Sequence, residues 1–211
     1  MTPGRDAQGA PTARTLAHTP RLVLRPLLES DRAEFMRTHE LSRPLYDSWS
    51  PRMMMAMSNE ELFEKSTRFA DEEERLGTRV RRAAFERATG RLVAMVSLNE
   101  IVRGPFQNAY VGWRTSADAL GLGYAPEAVR ALIALALTDP PLGLGLHRVQ
   151  ANIMPTNAAS LRVAEKLGLR REGLALRYLE INGVYADHVM YAMTREEWLH
   201  PSEVRLEPVC T

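Results

Sequence analysis

Gly121 and Gly123 stand one residue apart and run directly into Tyr124-Ala125-Pro126-Glu127. Two glycines at that spacing let the backbone take positive φ and leave no Cβ in a ligand's way, so neighbouring amides can converge on one anion. Beyond them Val129, Leu132, Ile133 and Ala136 fall at i, i+3, i+4 and i+7, which predicts a helix with one buried stripe. Its unpaired first-turn amides and its dipole add to the anion site, and Pro126 is tolerated because a first-turn N–H has no intrahelical partner. The chemistry indicated for Gly121, Leu122, Gly123, Tyr124 and Ala125 is phosphate binding. The same glycines also fit a helix C-cap or a plain loop. A dinucleotide fingerprint is set aside because its third glycine is missing, and a Walker loop because Gly-Lys-Ser/Thr is absent. About thirty residues on, Asn157 is placed to cap a second helix, with Ser160 in its first turn.

The elements that must carry these residues follow from period and punctuation. Residues 21–25 are short, apolar and stopped by Pro26, as a first strand would be, and Asp31 can cap a helix to about Leu41. The capping-box pattern Ser58-Asn-Glu-Glu61 opens a helix with Leu62, Phe63, Phe69 and Leu76 on its apolar side, ending at Gly77. Residues 79–87, 91–101 and 106–114 read as successive antiparallel strands. A strand over 147–154 stops at Pro155, and the helix capped by Asn157 carries Leu161, Val163, Ala164 and Leu167 up to Gly168. Strands 171–181 and 184–193 are joined by Asn182-Gly183, a strong hairpin signal. The order β-α-α-β-β-β-α-β-α-β-β predicts a single-domain α/β (α+β) fold. It has a mixed, mostly antiparallel seven-stranded sheet, about four flanking helices, and one right-handed βα crossover that makes two central strands parallel.

Composition bounds the rest. The chain has 211 residues and is 45% hydrophobic, enough for one substantial core over residues 19–200, with tails at 1–18 and 201–211. Twenty-seven basic against twenty-six acidic residues give a net charge of +1, so no bulk field favours direct nucleic-acid or membrane binding. Only Lys65 and Lys166 are lysines, so 25 of the 27 basic residues are arginine, which reads as coding bias. Cys210 is the single cysteine, near the end, which suits a reducing, cytoplasmic setting. None of the five histidines lies at metal-ligand spacing from another, so no metal is implied.

The motifs, in order, are Thr19-Pro-Arg-Leu-Val-Leu-Arg25, Val102-Arg-Gly-Pro-Phe-Gln107, Gly121-x-Gly-Tyr-x-x-Glu127-Ala, His147-Arg-Val-x-Ala-Asn-x-Met-Pro-x-Asn157-x-x-Ser160, Lys166-Leu-Gly168, Glu172-Gly173 and Asn182-Gly183-x-Tyr-x-Asp187-His188. Over nearly its whole length the chain therefore resembles the GNAT-fold N-acetyltransferases of the RimJ/RimL group, and most of all those acting on a ribosomal-protein alanine. The resemblance implies acetyl-CoA in a cleft between splayed parallel strands, with its pyrophosphate on the amides of 121–125. Strand residues Val111 and Trp113 would pair with the pantetheine, Asn152 and Asn157 would hold it from the other side, and Ser160 would return a proton to the thiolate. Trp49 would wall the acceptor groove. Three positions depart from the pattern: Asp118 stands before the turn, Pro126 precedes the glutamate, and Leu179 occupies the place of a relative's catalytic glutamate. Base candidates, in falling order, are then Glu100, Glu180 and His188, although a surface carboxylate or a turn-holding histidine is the more ordinary reading of each.

Direct transfer needs a neutral amine, the thioester and a donor for the leaving sulfur in one cleft. An α-amine of pKa about 7.8 is roughly a quarter neutral near pH 7.4, against about one part in a thousand for lysine. The expected activity is acetylation of a protein N-terminal α-amine. The same chemistry on a small-molecule amine, or a non-catalytic acyl-CoA sensor or ribosome-assembly binder, stays open, as does a homodimer.

Overall fold

The computed structural model describes residues 15–199 and 202–208. Nine strands form one sheet in the order β7-β8-β6-β5-β4-β3-β2-β1-β9, all neighbours antiparallel except β5 and β6. The strands are β1 Thr15–His18, β2 Leu22–Arg25, β3 Val80–Glu86, β4 Leu92–Val102, β5 Asn108–Thr115, β6 Arg148–Ile153, β7 Arg170–Ile181, β8 Val184–Thr194 and β9 Arg205–Pro208. The helices are α1 Arg32–Tyr46, the single-turn α2 Arg52–Met55, α3 Asn59–Arg75, α4 Tyr124–Leu137 and α5 Ala158–Lys166. The mixed α/β single domain with a central parallel pair is as expected, but there are nine strands, not seven. The two additional strands lie in segments expected to be tails: Thr15 to His18 pair with Pro208 to Arg205 at the sheet edge. Residues 1–14, the rest of the expected N-terminal tail, lie outside the described residues.

Helix α4 is buried on nearly every side, from Ala128 through Leu137, because it packs against the sheet while other elements close around it. That explains an apolar run too uniform to show only one stripe. The opposite face of the sheet carries α1 and α3. Phe35 and Phe63, whose rings meet edge-on at 5.2 Å, cover Ala83, Phe85 and Leu92 there. Helix α3 starts as its sequence requires, with Ser58 and Glu61 bonding each other's backbone. Helix α1 runs five residues past its expected end and carries Pro44 in its last turn.

The central feature is how briefly β5 and β6 pair. Their register covers only Asn108 with Arg148, Ala109 with Val149 and Tyr110 with Gln150. Past Tyr110, β5 stays on β4 while β6 stays on β8, so the parallel strands diverge. The V-shaped gap faces the start of α4 on one side and α5 on the other. Among the described residues no helix is long and apolar enough to cross a membrane.

Candidate active site

A cleft of about 510 Å³ occupies this gap. Val111, Trp113 and Arg114 of β5 form one wall, and Asn152 and Met154 with Asn157 and Ser160 of α5 form the other. Gly121, Gly123, Tyr124 and Ala125 lie at its head. Gly121 and Gly123 have φ of 75° and 80°, and Gly123 caps α4, so first-turn amides open towards the cleft without a side-chain cap. Tyr124 is buried and its hydroxyl bonds Glu86.

The far end is closed by a contact between distant segments. The Asn182 N–H donates to the Ser50 carbonyl at 3.2 Å, so the β7–β8 turn meets the segment after α1. Tyr46, Trp49, Ser50, Ile181 and His188 line the cleft there. Asn182 and Gly183 both have positive φ, 50° and 81°, the turn that Asn-Gly selects. His188 is buried, and its Nδ1 lies 2.9 Å from the Ala186 carbonyl. A carbonyl only accepts, so Nδ1 carries the proton and Nε2 of the neutral ring is an acceptor. Asn152 donates to the Tyr178 hydroxyl at 3.0 Å, while its buried Oδ1 has no partner. Burial, then a hydrogen bond with Tyr110 and the Glu100 charge, push Tyr178 up to about 12, so this phenol stays neutral.

No carboxylate is among the described residues lining the cleft, whereas Arg114, Arg162 and Lys166 are. Asp118 is held away by Arg37 at 3.1 Å and Arg91 at 2.7 Å. Burial alone would raise its carboxyl, but bonds to Ser116 and Arg37 and the Arg91 charge bring it below the ordinary range. Among the described residues no group of three or more metal-ligating side chains occurs.

A family model described as "Acetyltransferase (GNAT) domain" matches residues 21–170. The chain belongs to this family. It is a GNAT N-acetyltransferase that uses acetyl-CoA, related to the ribosomal-protein acetyltransferases. It is 32% identical over 174 residues to "Probable N-acetyltransferase YjcK" of Bacillus subtilis, covering 82% of this chain and 93% of that one. Over 107 residues it is 33% identical to the [Ribosomal protein uS5]-alanine N-acetyltransferase of Escherichia coli, 51% of this chain and 53% of that enzyme. Among solved structures it is similar to Mycobacterium smegmatis RimJ in complex with CoA-disulfide, with a TM-score of 0.76, 25% identity, and 91% and 92% of the two chains covered.

In this acetyltransferase the cleft gathers most of the residues singled out in the sequence: Val111, Trp113, Gly121, Gly123, Tyr124, Ala125, Asn152, Asn157, Ser160 and Trp49. Leu122 is not among them. Its side chain is exposed and its carbonyl faces Arg21. Glu100 and Glu180 do not line the cleft either. Glu100 is exposed, with φ of 48° at an irregularity in β4, and Glu180 lies opposite Tyr185 in the hairpin. Asn157 accepts the Ser160 N–H at 3.1 Å, so its oxygen serves the helix cap. Sequence reasoning missed Arg162 and Lys166. Ala159, Arg162, Val163 and Lys166 fall at i, i+3, i+4 and i+7 of α5, which would have placed the two cations on one face. The contribution of Tyr46 and Ser50 carried no local signal.

Proposed function

We infer that this acetyltransferase modifies the N-terminal α-amine of a protein. The carrying observation is that no carboxylate is among the described residues lining the cleft, which is bordered by Arg114, Arg162 and Lys166. A polyamine or aminoglycoside brings several positive charges and needs anionic partners, of which the described lining residues supply none, whereas a single α-amine enters neutral. The name of the Escherichia coli relative, a uS5-alanine N-acetyltransferase, supports the same acceptor class.

The cleft suits acetyl-CoA on its own chemistry: open amides under Gly121 and Gly123 for the pyrophosphate, cationic side chains nearby, and an unpaired strand edge for an amide-bearing arm. Bound there, acetyl-CoA supplies the activated acyl group. The β5 amides near Trp113 and Arg114 stabilise charge developing on the acetyl oxygen. Asn152, with its unpartnered Oδ1, accepts an N–H of the incoming amine and orients it. His188 Nε2 takes the amine's proton as the C–N bond forms, with Glu100 and Glu180, which are not among the lining residues, as the other candidates for that role. Ser160 gives its hydroxyl proton to the departing sulfur as the C–S bond breaks, and solvent returns the His188 proton to Ser160.

Thiol release and mass spectrometry with peptides beginning Ala, Ser and Thr, beside aminoglycosides, free amino acids and an amine-free control, test this reading. Acetylation is expected on peptides. Turnover confined to a small amine, or none despite CoA binding, overturns it.

A further inference from the structure

We propose that Arg21 is the positioning residue of the anion-binding turn: it holds residues 121–123 in their open shape and cancels the one carboxylate that the first turn of α4 carries. The inference rests on the reading of that turn as the pyrophosphate cradle.

Arg21 sits between β1 and β2, about a hundred residues from the turn in sequence. Its Nη1 donates to the Leu122 carbonyl at 2.9 Å, the carbonyl between the two glycines. Its Nε donates to Glu127 Oε2 at 2.7 Å, its Nη2 lies 2.6 Å from the same oxygen, and its backbone N–H donates to Glu127 Oε1 at 3.0 Å. Thr19 adds a 2.6 Å hydroxyl bond to Oε1. The guanidinium carbon lies 4.4 Å from the centre of the Tyr124 ring. One side chain thus bonds the turn, stacks on the first residue of α4 and grips the fourth.

Two consequences follow. Pulling the Leu122 carbonyl outward keeps its oxygen away from the cleft and leaves amides, not carbonyls, facing an anion. Glu127 stabilises the helix start, where a negative charge is favourable, but the same charge would repel a pyrophosphate in the same place. Arg21 lets the helix keep its carboxylate and the turn keep its affinity for anions. A Cβ on Gly123 would make only ordinary contact with Arg21 Nη2, at 3.4 Å, so it is the φ of 80° that reserves this position for glycine.

Direct binding of CoA, measured by calorimetry on the full chain, tests this, with acetyl-CoA and acetyl-pantetheine as alternative donors. Arg21→Ala should raise the CoA dissociation constant by about ten- to a hundredfold, the scale of losing charge-assisted bonds, with little change in kcat at saturating donor. Arg21→Ala with Glu127→Gln should recover part of that loss, because the unbalanced charge is gone while the carbonyl stays unheld. With acetyl-pantetheine, which has no pyrophosphate, Arg21→Ala should match wild type; equal damage with both donors would make Arg21 a general fold residue and overturn the proposal. Unchanged CoA affinity in Arg21→Ala also overturns it, provided Gly123→Val binds CoA weakly. If Gly123→Val binds CoA normally, the cradle reading falls and takes the proposal with it.

Discussion

Ser160 and His39 show how differently two buried-side residues report on this protein. Ser160→Ala should lower kcat by about a hundredfold, the lower range for losing a general acid, while the CoA dissociation constant from calorimetry stays unchanged. Equal loss of both would mean the hydroxyl serves the α5 start and not the sulfur. His39 takes no part in the site. It stacks on Phe35 with ring centroids 4.0 Å apart, and burial first, then the charges of Arg114 and Arg43, hold it down at about 4. The unfolded chain binds that proton near the ordinary 6.5, so its contribution is full above that pH and is lost as pH falls towards 4. The difference corresponds to about 3 kcal/mol. Urea titrations at pH 7 and pH 4.5 should therefore show a smaller drop in His39→Leu than in wild type. At this scale the sequence was readable where a residue's job is local. Gly121, Gly123, the Asn157 cap and Asn182-Gly183 announce themselves by backbone chemistry. Arg21 could not be read, because 25 arginines look alike until the fold sets one against a residue 106 positions away.

Elements that close the cleft were visible singly but not as a pair. The hairpin of β7 and β8 follows from two residues, yet nothing in those residues names Ser50 as their partner. Gly183→Val tests that closure. A branched side chain at φ of 81° costs about 1–2 kcal/mol and should distort the turn that delivers the Asn182 N–H to Ser50. The acceptor KM should rise several-fold while CoA affinity holds, because the turn touches only the far end; a KM unchanged within error would show that the contact does not shape acceptor entry. The base candidates illustrate the same limit. Alternation along a strand says that Glu180 and Leu179 face opposite ways, and their register on β8 is regular; what the sequence hides is the irregularity at Glu100 in β4 and the one before Leu179 in β7, where Arg177 takes φ of 48°.

At the scale of the molecule, the sheet is closed at one edge by its own ends. Strands of four residues such as Thr15–His18 and Arg205–Pro208 are too short for a periodic signal; β9 has only β1 as its partner strand among the described residues, and β1 links it to β2. Ending the chain after Glu203 should lower Tm by about 2–8 °C, since the partly buried Leu206 leaves the main core. Turnover at low temperature should persist, because β9 is the outermost strand, with β1, β2, β3 and β4 between it and the β5 wall of the cleft. The brief pairing of β5 with β6 has a consequence of another kind. From Val111 to Thr115 one edge of β5 is locked to β4, while the other has no neighbouring strand. The same five residues therefore keep two clocks. In deuterated water, amides turned towards β4 should exchange slowly at all times, and alternate amides turned towards the gap should exchange fast until acetyl-CoA arrives. A cofactor that slows only every second amide would be behaving as the missing strand.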